Sequence, residues 1–191
     1  MIKAMCLSMK KLYIETDRLH IRNLLPKDVH SFHAYRCLPE VALYQGFDVM
    51  DLEACETFIN TYKDKQLGEP GEWVQYAVCL KETDQLIGDC ALKLHAPDPR
   101  IAEIGITVSP AFQQKGYAKE ATQGIVQWLF SETATHRIVE ITDAENTASI
   151  QLLESIGFRQ EGHFIENIWF NGKWGSEYQY ALLRREWEQN R

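Results

Sequence analysis

The most constraining part of this 191-residue sequence is the segment 102–121, where a strand pattern passes through a glycine-bearing loop into a helix pattern. Residues 102–108 are apolar and β-branched enough for a buried strand. Pro110 cannot continue a sheet ladder and ends it. From 118 to 132 apolar residues recur at helical spacing. We therefore expect a strand, a turn and a long amphipathic helix in succession.

The loop before this helix has the properties of an anion site. A helix N-terminus leaves backbone N–H groups without partners and carries partial positive charge. Gly116 precedes the helix and lets a ligand approach the backbone, which suits a phosphate or pyrophosphate. The Walker A and Gly-x-Gly-x-x-Gly patterns are both missing here. The alternative is a plain strand-to-helix turn capped by glycine.

A second informative stretch, Asn146 to Phe158, predicts a short helix with recognisable ends. Asn146 suits the N-cap position, and Gly157 suits the left-handed position after the last turn. Ser149 falls on the same helix face as Leu153. A hydroxyl is therefore expected on the buried stripe, close to the helix start.

The two stretches resemble the motifs of the GNAT acetyltransferases, in the family's order. Gln113-x-x-Gly116-x-Ala118 is similar to the family's Gln/Arg-x-x-Gly-x-Gly/Ala loop, which holds the pyrophosphate of acetyl-CoA. The stretch from Asn146 is similar to Asn-x-x-Ser/Ala-x-x-Leu-(Tyr/Leu)-x-x-x-Gly-Phe, whose Asn and residue three on contact the pantetheine side. The resemblance covers about residues 12 to 188. It implies acetyl-CoA contacts by Ile106, Thr107, Val108, Gln113, Gln114, Lys115, Gly116, Tyr117, Ala118, Asn146 and Ser149.

The resemblance implies an α/β fold with a mixed, mostly antiparallel, twisted sheet of about seven strands and helices on both faces. A parallel pair, 102–108 with 136–142, should splay to admit pantetheine. A chain of 191 residues has the usual length of a single domain, so we expect one domain over residues 12–191. Residues 1–11 are interpreted as a lead that need not be ordered.

Three further segments resemble the RimJ/RimL subgroup, whose members acetylate protein N-terminal amines and, in relatives, small amines. They are Glu15-Thr16-Asp17-Arg18-Leu19, Gly88-Asp89 and Asn171-Gly172-Lys173-Trp174. Asn-Gly is also the preferred type I′ hairpin turn. The acceptor amine is therefore a protein N-terminus or a small amine such as an aminoglycoside or polyamine.

Acetyl transfer to an amine needs a base, because an alkyl ammonium with a pKa near 10 must lose a proton before it attacks. Glu103 is the expected base, because it lies on the strand that should carry the cofactor. The alternative is a charge that faces solvent or pairs with an arginine. Glu166 and Glu177 are second choices near the acceptor. Backbone N–H groups at 106–108 would polarise the thioester carbonyl.

The leaving thiolate needs a proton, which a tyrosine commonly supplies in GNAT enzymes. That position holds Leu153, so Ser149 is the nearest hydroxyl and the expected thiolate partner. The alternative is a first-turn serine bonded to local backbone. The missing tyrosine also keeps open a second function, a non-catalytic acyl-CoA-binding sensor.

Aromatic side chains are candidates for an acceptor groove, although core positions are the alternative for each. We expect substrate contacts by Tyr44, Trp73, Tyr76, Glu166, Trp169 and Trp174.

Composition argues against nucleic acid, metal ions and a membrane span. The formal charge of −7 argues against nucleic acid and favours cationic ligands. Six scattered histidines predict no metal site. Five cysteines without a Cys-x-x-Cys pattern indicate reduced thiols in the cytoplasm. No run of consecutive apolar residues approaches the length of a membrane-spanning helix. A monomer and a homodimer are both compatible with the sequence.

Overall fold

A computed structural model describes residues 12–44, 48–170 and 172–189 of the chain. The expected lead at 1–11 lies outside these residues, as does Asn171 of the predicted hairpin turn. The strands are β1 (Ile14–Glu15), β2 (Leu19–Asn23), β3 (Val74–Leu80), β4 (Leu86–Leu94), β5 (Ile101–Val108), β6 (Arg137–Asp143), β7 (Arg159–Phe170) and β8 (Lys173–Leu183). The α-helices are α1 (Val29–Arg36), α2 (Pro39–Ala42), α3 (Leu52–Tyr62), α4 (Tyr117–Glu132), α5 (Thr147–Ile156) and α6 (Arg184–Gln189).

One sheet contains all eight described strands, in the order β1-β2-β3-β4-β5-β6-β8-β7. Every neighbouring pair is antiparallel except β5 and β6, which are parallel. This confirms the expected mixed, mostly antiparallel sheet. The strand beyond the expected seven is the two-residue β1, too short to leave a periodic pattern.

The parallel pair opens part-way along its length. β5 and β6 are in register only as far as Glu103, which is opposite Val139. Beyond that point β5 stays paired with β4 up to Val108, and β6 stays paired with β8 up to Asp143. A gap therefore opens inside the sheet between two strands that are each held on their other side. This is the splay that the sequence predicted.

The two faces of the sheet are covered by different helices. Alternate residues of a strand point to opposite faces. The face with Tyr76 and Ile104 packs into the larger apolar cluster, together with Ala121 of α4 and Leu153 of α5. On the other face, Ala77 and its neighbours pack against α1 and α3. Burial of each large apolar side chain contributes about 1.5–3 kcal/mol.

Helix ends follow local chemistry. The Asp51 side chain accepts a hydrogen bond from the Ala54 N–H at 2.8 Å and so forms the N-cap of α3. Gly157 ends α5 with a φ of 99°, in the left-handed region expected for it. The sequence analysis did not predict the short helices α2 and α6. Across the described ranges, no helix combines the length and apolar character needed to cross a bilayer.

Candidate active site

A cleft of about 1030 Å³ lies where β5 and β6 separate. One part of its wall is the loop before α4 and the start of α5, including Gly116 and Asn146. The other part is formed on the α1–α3 side of the sheet, where Tyr44 and Trp73 lie. The cleft therefore connects the predicted anion site with the opposite face through the gap in the sheet.

The loop before α4 is shaped by two residues with positive φ. Gly116 is the N-cap of α4 with a φ of 80°, and Gln114 has a φ of 60°. The Gln113 side chain donates a hydrogen bond to the Val108 carbonyl at 2.9 Å, which ties the loop to the end of β5. The first N–H groups of a 16-residue helix have no intrahelical partners. This loop presents those groups to the cleft, as an anion site requires.

Arg18 and Glu120 hold this loop, and the sequence analysis missed their pairing. The Glu120 carboxylate accepts from the Arg18 backbone N–H at 2.7 Å, from its Nε at 2.6 Å and from the Thr16 hydroxyl at 2.6 Å. Arg18 Nη1 also donates to the Lys115 carbonyl at 3.0 Å. Because 102 residues separate Arg18 from Glu120, no local pattern reports the contact.

Most of the predicted cofactor residues line the cleft; Lys115 is the exception. Its Nζ donates to the Ala111 carbonyl at 2.9 Å, so its ammonium group turns back onto the preceding turn. Those that line the cleft are Ile106, Thr107, Val108, Gln113, Gln114, Gly116, Tyr117, Ala118, Asn146 and Ser149.

Glu103 lines the cleft as expected, and it is paired with a lysine rather than an arginine. Its Oε2 lies 2.6 Å from Lys93 Nζ and 3.2 Å from His95 Nε2. Lys93 faces Glu103 in the register between β4 and β5. Both contacts use Oε2, and Oε1 has no partner among the described residues. Glu103 can therefore accept a proton on Oε1 and has an imidazole beside it that leads towards solvent.

Glu140 is a second carboxyl group at the gap, and the sequence analysis did not identify it. It is the first residue of β6 beyond the last position paired with β5, and it is only 7% exposed. Burial raises its pKa to about 8, and the Glu103 charge adds to this while the Ser149 hydroxyl opposes it. The available signal was a glutamate in phase with Ile138 and flanked by the apolar residues Val139 and Ile141.

Ser149 points at this carboxyl group. Its Oγ donates to Glu140 Oε1 at 3.4 Å, and its backbone N–H donates to Asn146 Oδ1 at 3.1 Å. The latter bond confirms Asn146 as the N-cap of α5. The hydroxyl is thus directed into the gap and does not bond local backbone, which was the alternative for a first-turn serine.

The predicted acceptor residues divide into two groups. Tyr44 and Trp73 line the cleft, and the Trp73 ring lies 4.3 Å from Lys93 Nζ. Tyr76 was wrongly expected there: it is fully buried in the opposite-face core, where its hydroxyl accepts from the Leu67 N–H at 2.8 Å. Glu177, a second choice as base, lines the cleft.

The other three expected acceptor residues lie on the β7–β8 hairpin, outside the cleft. Trp169 and Trp174 are 60% and 57% exposed and contact one another edge to face. Glu166 is exposed in a strand irregularity with a φ of 47°, and its N–H donates to the Ser176 hydroxyl. These placements correct the expectation. Ile168 and Phe170 line the cleft, and strand alternation turns Trp169, which lies between them, to the opposite face of the hairpin.

A buried ion pair forms part of the cleft wall beside Trp73. The Arg36 guanidinium and the Asp89 carboxylate are in contact, and both are almost fully buried. Asp89 also accepts hydrogen bonds from the Tyr35 hydroxyl and the Gln75 amide. This network fixes α1 on the sheet and sets the shape of the α1–α3 side.

One His/Cys/Asp group occurs among the described residues, although the sequence predicted no metal site. Potential ligand atoms of His20, Cys79 and Asp84 lie within 4.8 Å of one another. Asp84 is already bonded to Arg22 and Lys27, whose charges occupy the carboxylate that a cation would need. Burial raises the pKa of the Cys79 thiol to about 12, which keeps it protonated. The donor set therefore fits a divalent cation poorly.

Comparisons with known proteins identify relatives of the whole fold. A family profile described as acetyltransferase (GNAT) domain matches residues 18–159. The uncharacterized N-acetyltransferase YnaD of Bacillus subtilis is 34% identical over 176 residues, 92% of this chain and 99% of that protein. A solved GNAT-family acetyltransferase from Bacillus anthracis has a TM-score of 0.83 at 31% identity, with 92% of this chain and 100% of that chain covered.

A more distant structure was solved with ligands. The spermidine N-acetyltransferase of Vibrio cholerae, in complex with CoA and spermine, has a TM-score of 0.76 at 22% identity. The match covers 91% of this chain and 99% of that chain. At this identity the likeness is one of fold alone.

Proposed function

The chain belongs to the GNAT family and is an acyltransferase, and from that premise we propose that it transfers acetyl from acetyl-CoA directly to a cationic primary amine. The observation that carries the proposal is the single cleft that passes through the sheet at the β5–β6 gap. An anion-binding helix end lies on one side of the gap, and carboxylates lie on the other. We treat residues 12–191 as one acetyltransferase domain.

The fit of acetyl-CoA rests on the helix-α4 end of the cleft. Free N–H groups and the helix dipole suit a diphosphate, and Gly116 leaves the backbone open to it. Pantetheine would lie along β5, where the N–H groups of Ile106 and Val108 face the cleft, while that of Thr107 is directed at β4. Such N–H donors at a developing oxyanion typically contribute about 3–4 kcal/mol each.

Glu103 is the proposed base for the acceptor amine. The ammonium group loses its proton to Oε1, and His95 beside Oε2 offers a path to solvent. Glu40, Asp143 and Glu177 line the same cleft and add negative charge on this side, while Arg36 is matched by Asp89. A cation is therefore attracted to the place where it must be deprotonated.

The acceptor that fits the acidic α1–α3 side of the cleft best is a small amine with more than one positive charge. The subgroup resemblance is weaker support for a protein N-terminus, because Arg18 fixes the cofactor loop and Asp89 fixes the ion pair beneath the cleft. Neither residue needs to contact an acceptor. The protein N-terminal amine is the second candidate. A reducing compartment such as the cytoplasm suits the four described cysteines, which are all unpaired.

The test is thiol release from acetyl-CoA with a panel of polyamines, aminoglycosides and peptides with free N-termini. We expect turnover with the multivalent small amines. The Glu103→Gln variant should lower kcat by about 10²–10⁴-fold, the usual contribution of a general base. Glu166→Gln is the matched control, because that carboxylate is exposed outside the cleft, and its kcat should not change. CoA binding without thiol release for any amine would refute catalysis and favour an acyl-CoA sensor.

A further inference from the structure

We propose that Glu140 is a positioning residue that acts through Ser149: its carboxyl group supplies the proton that the Ser149 hydroxyl passes to the departing CoA thiolate. This inference rests on the proposed acetyl transfer. It assigns a role to a buried acid that the base-catalysed step does not use.

The position of Glu140 singles it out. Register and strand alternation place Glu103 on the α1–α3 face of the sheet and Glu140 on the α4–α5 face, at the start of the same gap. The two carboxyl groups thus lie on opposite sides of the passage that pantetheine would occupy. One side receives the amine and the other side faces α5, which carries Ser149.

Glu140 has the surroundings of a neutral acid. In the described part of the chain, its only hydrogen-bond partner is the Ser149 hydroxyl. The ionisable groups on the surrounding elements are Glu103 on β5, Tyr180 opposite it on β8, Glu154 on α5, which accepts from the Tyr180 hydroxyl, and Lys119 of α4 on the cleft wall. Burial and the Glu103 charge hold the pKa of Glu140 at about 8, so the group is mostly protonated at neutral pH.

The proposed step is balanced in protons and electrons. The acceptor ammonium loses one proton to Glu103 before attack, and Glu103 passes it through His95 to solvent. After the C–N bond forms, the nitrogen loses its second proton to the regenerated Glu103 carboxylate, which releases it to solvent in turn. The C–S bond breaks, and its electron pair goes to sulfur. For this step the hydrogen bond between the two residues reverses: the protonated Glu140 carboxyl donates to the Ser149 oxygen, and the Ser149 hydroxyl turns to sulfur. The Ser149 proton then moves to sulfur, and the Glu140 proton moves to the Ser149 oxygen. Glu140 recovers a proton from water, and one proton is released per turnover.

The pH profile of kcat tests the proposal, because the protonated form of Glu140 is the active one. Wild-type kcat should fall as pH rises through about 8. Glu140→Gln keeps the shape of the side chain but has no proton to give. We expect its kcat to be at least about tenfold lower, in line with general acid contributions, and the descent above pH 8 to disappear. Glu154→Gln on α5, the helix that carries Ser149, is the control and should keep both kcat and the descent.

A double-mutant cycle separates this role from a structural one. If Glu140 acts through Ser149, then Ser149→Ala and the double variant should have the same kcat, because residues acting as a unit are not additive. Additive losses, or a Glu140→Gln variant that keeps its alkaline descent, would overturn the proposal. The double-mutant cycle tests only the role of Glu140. Acetyl transfer by the wild-type protein in the same assays tests the proposed function separately.

A second measurement does not depend on turnover. The infrared spectrum of the wild-type protein at neutral pH should contain a protonated-carboxyl C=O band that Glu140→Gln removes. A spectrum in which that variant loses no such band would show that Glu140 is ionised and would refute the proton donor role.

Discussion

Substitution of Gly116 by valine should weaken acetyl-CoA binding far more than it weakens the fold. A Cβ at this position would meet Arg18 Nη2 at 3.4 Å, which is an ordinary contact, so the folded chain has room for it. The φ of 80° costs an L-residue about 1–2 kcal/mol, with more for a β-branched side chain. The added side chain also covers the N–H groups that a diphosphate would reach.

The loss of binding can be estimated from those N–H groups. A hydrogen bond to a charged group contributes about 1.5–3 kcal/mol, so losing one corresponds to about a ten- to hundredfold rise in KM for acetyl-CoA. Steady-state kinetics measures KM, and calorimetry measures the Kd of CoA.

Gly157→Val is the matched control for this substitution. Gly157 has a φ of 99° with no atom within 4 Å of an added Cβ, and it lies outside the cleft. We expect both variants to lose similar stability, whereas only Gly116→Val should raise KM. Equal KM changes in the two variants, or an unchanged KM in Gly116→Val, would refute the pyrophosphate assignment.

The remaining predictions concern the core, the acceptor wall and low pH. Asp89→Ala should destabilise the fold by about 3–5 kcal/mol in denaturant titrations, because it leaves the Arg36 guanidinium buried without its carboxylate. Trp73→Ala should raise KM for the amine, while Trp169→Ala, outside the cleft, should leave it unchanged in the same assay. Burial opposes ionisation of Asp84, but its bonded cations outweigh burial and lower its pKa. Its contribution to stability is therefore complete above the unfolded pKa of about 3.9 and is lost as pH falls, so Asp84→Asn should flatten the acid limb of the Tm-against-pH curve.

Each of these predictions has a contrary outcome. Asp98→Ala removes a partly exposed partner of the exposed Arg100 and should change the denaturation midpoint little; an Asp89→Ala loss no larger than this would contradict the buried-pair argument. An equal rise in amine KM for Trp73→Ala and Trp169→Ala would mean that the acceptor contacts the face of the β7–β8 hairpin that carries Trp169. An Asp84→Asn variant with an unaltered acid limb would show that the pKa of Asp84 is not lowered.

Local signals explain why the cofactor side of the site could be predicted from the sequence. A glycine before a helix, an asparagine N-cap and a glycine with positive φ each depend on a few neighbouring residues. The loop at Gly116 and the helix from Asn146 to Gly157 were therefore recognised with their boundaries. The gap between β5 and β6 was expected from the resemblance to the GNAT family, and it lies between the two strands that lead into these motifs.

The acceptor side depends on register and distant contacts, which a single sequence does not reveal. Lys93 meets Glu103 only because of the β4–β5 register. Glu140 lies between Tyr180 of β8 and Ser149 of α5, which are 40 and nine residues away along the chain. Trp169 is the type of residue that lines an acceptor groove, but in the strand register its neighbours Ile168 and Phe170 face the cleft and Trp169 faces away from it. The positive φ of Glu166 comes from a strand irregularity that its residue type gave no reason to expect.

The measurement that tests the account most directly is a crystal structure of the protein with CoA. We predict the diphosphate at the first-turn N–H groups of α4 and the sulfur inside the β5–β6 gap, with Ser149 on one side and Glu103 on the other. A CoA molecule bound elsewhere, or one whose thiol does not enter the gap, would contradict the central claim that the opened parallel pair is where acetyl transfer occurs.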